Sequence, residues 1–204
     1  FLIDLTYVSE FNNIFSPGIS AFRTWAGDRI FTHGGFFKNL PDPFGFGLGD
    51  GEYATTGRVG MLPIWNEPNE LYWYIGGAMS RRDPVDGVVT ARIRNLIRNA
   101  PGPLLNVIAS TGAIPAEGNA VFNLDTAYAN GPLTLIGELQ SNQLYNATTI
   151  DGTPQGTVHY TGFYVSTLYF LTREHRSWNT RTYTFNRIIP KHNFRFDKQS
   201  PWHV

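Results

Sequence analysis

The stretch that most constrains this chain is TGFYVSTLYFLT, residues 161–172, where alternation with a period of two runs almost without interruption. Successive side chains of a strand point to opposite sides. Phe163, Val165, Thr167, Tyr169 and Leu171 therefore share one face, and Tyr164, Ser166, Leu168, Phe170 and Thr172 share the other. Aromatics sit on both faces, and the polar positions are hydroxyls rather than charges. Such a strand suits two different surroundings, one apolar and one wet. It is followed by Arg173-Glu174-His175-Arg176 and then Trp178. A charged cluster with an aromatic beside it is the pattern expected where a membrane strand leaves the bilayer.

The same period recurs along the chain. Residues 19–25 and 29–37 read as two short strands around Gly27-Asp28, a tight-turn signal. Glycine and proline crowd residues 40–52 and mark a loop. Residues 52–62 read as a strand, 63–69 as a turn, and 70–80 as a strand with Leu71, Trp73, Ile75 and Met79 on its apolar face. Gly76-Gly77 admits a bend or a close neighbour. Residues 119–129 and 133–142 form a hairpin around Asn130-Gly131-Pro132; 100–117 and 141–156 read as connections. Eight or nine strands, joined alternately by tight turns and long loops, give an all-β, antiparallel transmembrane β-barrel as the expected fold.

Composition narrows the function. Sixteen basic residues balance sixteen acidic ones, so no net field points to nucleic acid. There is no cysteine, which removes disulfides and thiolate chemistry. No run of 18 apolar residues occurs, so no membrane-crossing helix is encoded. No nucleophile elbow, phosphate loop or metal-binding histidine pair appears, and no catalytic role, cofactor or metal is expected. Glu174 and His175, as neighbours on a strand, would point apart and could not easily share one ion.

The charged residues of interest are arginines. Over 88–98 (VVTARIRNLIR) a strand puts Arg92, Arg94 and Arg98 on one face with Thr90, opposite Val89, Ala91, Ile93 and Ile97. Their heads would stand about 7 to 20 Å apart along one wall. Arginine's planar fork donates two parallel hydrogen bonds and stays charged at any working pH, which suits transient contact with oxyanions. Two readings stay open: a pore-lining ladder for anions, or a solvated face whose arginines pair with Asp125 or Glu138. Arg58, alone among Ala54, Thr56 and Gly60, has room to project into a lumen, as a solvated cation or as part of a defined site. Trp73, Tyr74, Tyr128, Tyr169 and Trp178 read either as interfacial girdles or as the core of a soluble β-protein.

Gly162-Phe163-Tyr164-Val165, Tyr169-Phe170-Leu171-Thr172 and Glu174-His175-Arg176 resemble the phosphate-selective porin O and P family of bacterial outer membranes. So do Gly49-Asp50-Gly51-Glu52-Tyr53-Ala54, Arg81-x-Asp83-Pro84, Arg92-x-Arg94 and residues 130–138 (NGPLTLIGE). The resemblance implies a sixteen-stranded barrel, usually a homotrimer among outer-membrane lipids, that passes small anions or nutrients along an arginine-lined path. It also places Arg92 and Arg94 where the family has its ladder, and it makes residues 1–204 a single barrel domain lacking N- and C-terminal strands. A non-channel barrel scaffold in a surface assembly, or a soluble β-sandwich binding protein, is the alternative.

Overall fold

A computed structural model describes residues 16–39, 52–94 (backbone alone at 92–94) and 107–190. Seven long strands form one antiparallel sheet: β1 (Gly18–Trp25), β2 (Ile30–Lys38), β3 (Tyr53–Asn66), β4 (Leu71–Arg82), β9 (Gly118–Asn130), β10 (Leu133–Thr148) and β11 (Pro154–Tyr169). They lie side by side in that order, and every neighbouring pair is antiparallel. The sheet is open, with β1 and β11 at its edges. Three small two-stranded ladders stand beside it: β5 (Val88–Val89) with β8 (Ile114–Pro115), β6 (Arg92–Arg94) with β7 (Val107–Ser110), and β12 (Trp178–Asn179) with β13 (Thr184–Phe185). No α-helix occurs among the described residues.

Connections alternate between the two ends of the sheet, and two of the three at the second end are long. Residues 26–29, 67–70 and 131–132 close one end of the sheet; 39–52, 83–117 and 149–153 connect strands at the other. At the first turn Ala26, Gly27 and Asp28 all take positive φ, which is how so tight a reversal is made.

Three sequence expectations are corrected. Residues 63–69 are not all turn, because β3 continues to Asn66. Leu62 and Pro63 together oppose Tyr74 in a bulge, which carries the proline past the ladder without needing its missing N–H. Most of 141–156 is strand rather than connection; its polarity belongs to one face of β10. The single strand expected over 88–98 is, over its described part 88–94, the two short strands β5 and β6, both off the main sheet. The described part of the loop expected over 100–117, from 107 on, holds their partners β7 and β8, and residues 95–106 lie outside the described residues. Beyond β11 the chain does not leave the sheet behind. It turns back over the sheet, burying Glu174 and Arg176 to 4% and 6% exposure.

That return divides the sheet into a covered face and a bare face. Trp178 and Tyr183 pack with Phe31, Leu62, Tyr72, Tyr74, Ala127 and Ala129 on the covered side. Near the long-loop end, Ala116 with Val89 and Ile114 packs on Leu144, Ala147, Val158 and Tyr160 of the same side. Between these two apolar patches the covered face is polar, with Arg58, Asn123, Asp125, Glu138, Gln140 and Tyr164. The bare face is the reverse. Val59, Leu124, Leu139 and Phe163 stand in one cross-strand row, with Met61, Ile75 and Val165 in the next. Phe163 is 77% exposed, Val165 76% and Leu124 61%.

Candidate functional site

The polar centre of the covered face is assembled by register. One row runs Gly60, Gly76, Asp125, Glu138, Tyr164 from β3 to β11; the next runs Arg58, Ala78, Asn123, Gln140, Gly162. Asp125 and Glu138 are thus direct cross-strand neighbours, an arrangement that like charges disfavour unless each finds a partner. Each does. The Arg58 guanidinium lies 3.6 Å from Asp125 and donates to the Tyr74 hydroxyl at 2.8 Å. The Asn123 amide donates to Glu138, and so does the Tyr164 hydroxyl. Both members of the Arg58–Asp125 pair are about a quarter exposed, so its net contribution is on the order of 1 kcal/mol or less.

Glycine makes this geometry possible. The Tyr74 ring lies across the Gly60–Gly76 pair, where a β-carbon at Gly60 would stand 2.8 Å from the ring and one at Gly76 would overlap the phenol oxygen. Without side chains there, Tyr74 stacks on Trp178 at 4.6 Å between ring centres.

The segment over this face is tied down at several points. The Tyr72 hydroxyl donates to the backbone carbonyl of Arg176 at 2.8 Å, and the Tyr183 hydroxyl to that of Asp28 at 2.9 Å. His175 Nδ1 is 3.1 Å from the Glu70 carboxylate, and Thr172 donates to Glu174. Phe31 stacks on Tyr183 at 4.9 Å, and Trp178 meets Phe185 edge-on at 5.0 Å. The Arg176 guanidinium lies 3.8 Å from the Phe185 ring centre. Burial pushes the Tyr183 phenol up to about 12, helped by the Asp28 charge and opposed by Arg29. Burial also lowers the pKa of Arg176, partly offset by Tyr72 and Tyr164. Between segment and sheet remains a cavity of about 660 Å³ whose walls include Arg58, Asp125, Glu138, Tyr164, Arg176 and Trp178.

Of the four arginines singled out in the sequence, Arg58 lines this cavity. Arg92 and Arg94 lie on β6, opposite Ser110 and Val107 across a bulge, in the excursion between β4 and β9. Arg98 falls outside the described residues. The carboxylate that the sequence offered to the ladder arginines, Asp125, is held by Arg58 instead. Tyr74, Arg176, Trp178 and Tyr183 were not picked out as site residues. Alternation could have found Tyr74, which shares a face with Ala78 and Ser80; nothing local signals that Arg176 turns inward. Among the described residues no three histidine, aspartate or glutamate side chains gather as a metal set, and no helix is long and apolar enough to cross a membrane. No family model matches the chain, and neither a curated protein nor a solved structure does.

Proposed function

We propose that this chain is part of an outer-membrane channel, a porin wall whose bare face meets lipid and whose covered face lines water. The observation that carries the reading is the inversion of the sheet. Apolar side chains stand exposed on the uncovered side, while arginine, aspartate, glutamate and amides occupy the side under the folded-back segments. Water would make so large an exposed apolar face costly, at about 25 cal/mol per Å². A bilayer removes that cost and asks for this alternation. Short turns at one end and the long connections 39–52 and 83–117 at the other fit the same architecture. In this reading strands beyond the described ones close the sheet, and the protein sits in a bacterial outer membrane as a trimer.

The mechanism is passive diffusion through a narrowed lumen. Residues 170–187 reach over the covered face from the short-turn end, and residues near 114–116 from the long-loop end, so a solute passes beside Arg58, Asp125, Glu138 and Arg176. Arg92 and Arg94, in the excursion at the long-loop end, contribute anion preference at the mouth. A soluble sandwich would bury its apolar face under a second sheet; among the described residues none covers it. The test is conductance in a planar bilayer, together with detergent-dependent extraction and a heat-induced shift in gel mobility. Ion-conducting steps support the channel. A protein that stays in the aqueous fraction and conducts nothing refutes it.

A further inference from the structure

We infer that the cavity beneath Arg176 and Trp178 is a binding site for a small organic carboxylate, an aromatic monocarboxylate above all. This rests on the reading that the covered face is the one solutes meet. Arg176 and Trp178 are each only 6% exposed, and both line the cavity. The Arg176 Nε and Trp178 Nε1 donors have no hydrogen-bond partner. Both side chains lie against one ring, that of Phe185. A buried donor left unmade is costly, and two of them two residues apart on one short segment call for an acceptor that carries two oxygens. A carboxylate is such an acceptor: planar, monoanionic and able to take one hydrogen bond on each oxygen.

Inorganic phosphate fits less well for two reasons. Its further oxygens would be stripped of water beside the rings of Tyr74, Tyr183 and Phe185. Its second charge would face Asp125 and Glu138 on the sheet side of the cavity. A flat ring attached to the carboxylate gains from the same surroundings. Tyr74 and Trp178 already stack on each other, and Phe185 adds an edge. The cavity, at about 660 Å³, has room for such a molecule beside its own side chains.

The test is calorimetric titration of the detergent-folded protein with benzoate, benzyl alcohol and inorganic phosphate. Benzoate is expected to bind at least tenfold more tightly than either of the others, since only it offers two charged oxygens on an aromatic body. Trp178→Phe, which keeps the ring and removes the N–H, is expected to weaken benzoate about tenfold, and Arg176→Lys at least as much. Equal affinity for benzyl alcohol or phosphate, or unchanged benzoate binding in Trp178→Phe, overturns the assignment. The first comparison needs no variant and is unaffected by misfolding. Binding is read without conductance, so the two readings fail separately: benzoate binding in a protein that does not conduct removes the channel and keeps the site, and conductance without benzoate binding does the reverse.

Discussion

Placing an arginine at Leu124 separates lipid from water on the bare face. Leu124 is central in the sheet, on β9, and 61% exposed. Its cross-strand row holds Thr32, Val59, Gly77, Leu139 and Phe163. The flanking rows place Met79, Phe122 and Ser141 on one side and Ile75, Thr126 and Gly137 on the other. No carboxylate in these rows can pair with a new guanidinium. In water such an exposed substitution changes stability by about 0.5 kcal/mol or less. Facing lipid near the midplane, it costs about 2–4 kcal/mol. Taking about 3 kcal/mol, the folding equilibrium falls roughly 150-fold. The assay is equilibrium urea unfolding from phosphatidylcholine vesicles, followed by tryptophan fluorescence and gel mobility. Ser166→Arg, pointing to the covered face of β11, serves as the internal comparison and is expected to lose less than about 1 kcal/mol. If Leu124→Arg unfolds within 0.5 kcal/mol of the unmodified protein, the bare face does not meet lipid and the argument from inversion collapses.

Other outcomes follow from the covered face. Gly60→Ala pushes on the Tyr74 ring from 2.8 Å and should destabilise by about 1–3 kcal/mol in the same unfolding assay; a neutral result would mean Tyr74 is free to move. Tyr72→Phe removes one buried hydrogen bond to the Arg176 carbonyl and should cost about 1 kcal/mol, with larger single-channel conductance if the segment loosens. Arg58→Gln leaves Asp125 and Glu138 opposed without their cation, so the reversal potential in a salt gradient should move toward cation preference. Neutralising Arg92 and Arg94 together should lower anion preference; an unchanged reversal potential removes them from the mouth field.

The sequence carried the strands because a period of two survives wherever the two sides of a sheet differ. Hence the faces of Phe163–Tyr169 and of Leu71–Met79 were legible, as were the turns at Gly27-Asp28 and Asn130-Gly131. Residues 141–148 misled for the same physical reason: asparagines and glutamines that suit the covered face look like a loop when polarity is taken as exposure. The arginine strand misled differently. Sorting charge from apolar side chains over 88–98 is a local criterion, whereas strand order is decided by pairing. Here β4 pairs directly with β9, and the described residues between them, 83–94 and 107–117, lie outside the main sheet. That direct pairing also joins Arg58 to Asp125 across β4, a contact between residues far apart in the chain. The inward turn of Arg176 depends on Tyr72 and Phe185 receiving it, and no spacing near 176 records that.

The central claim is that one face of the sheet meets lipid and the other water, and β11 tests it residue by residue. The chain has no native cysteine, so single cysteines at 161 to 168 are unambiguous reporters. In vesicles, odd positions (Thr161, Phe163, Val165, Thr167) should carry a fluorophore quenched by brominated acyl chains and should react slowly with a membrane-impermeant maleimide. Even positions (Gly162, Tyr164, Ser166, Leu168) should show the opposite. A clean alternation is the predicted result; uniform aqueous reactivity along the strand would contradict the account.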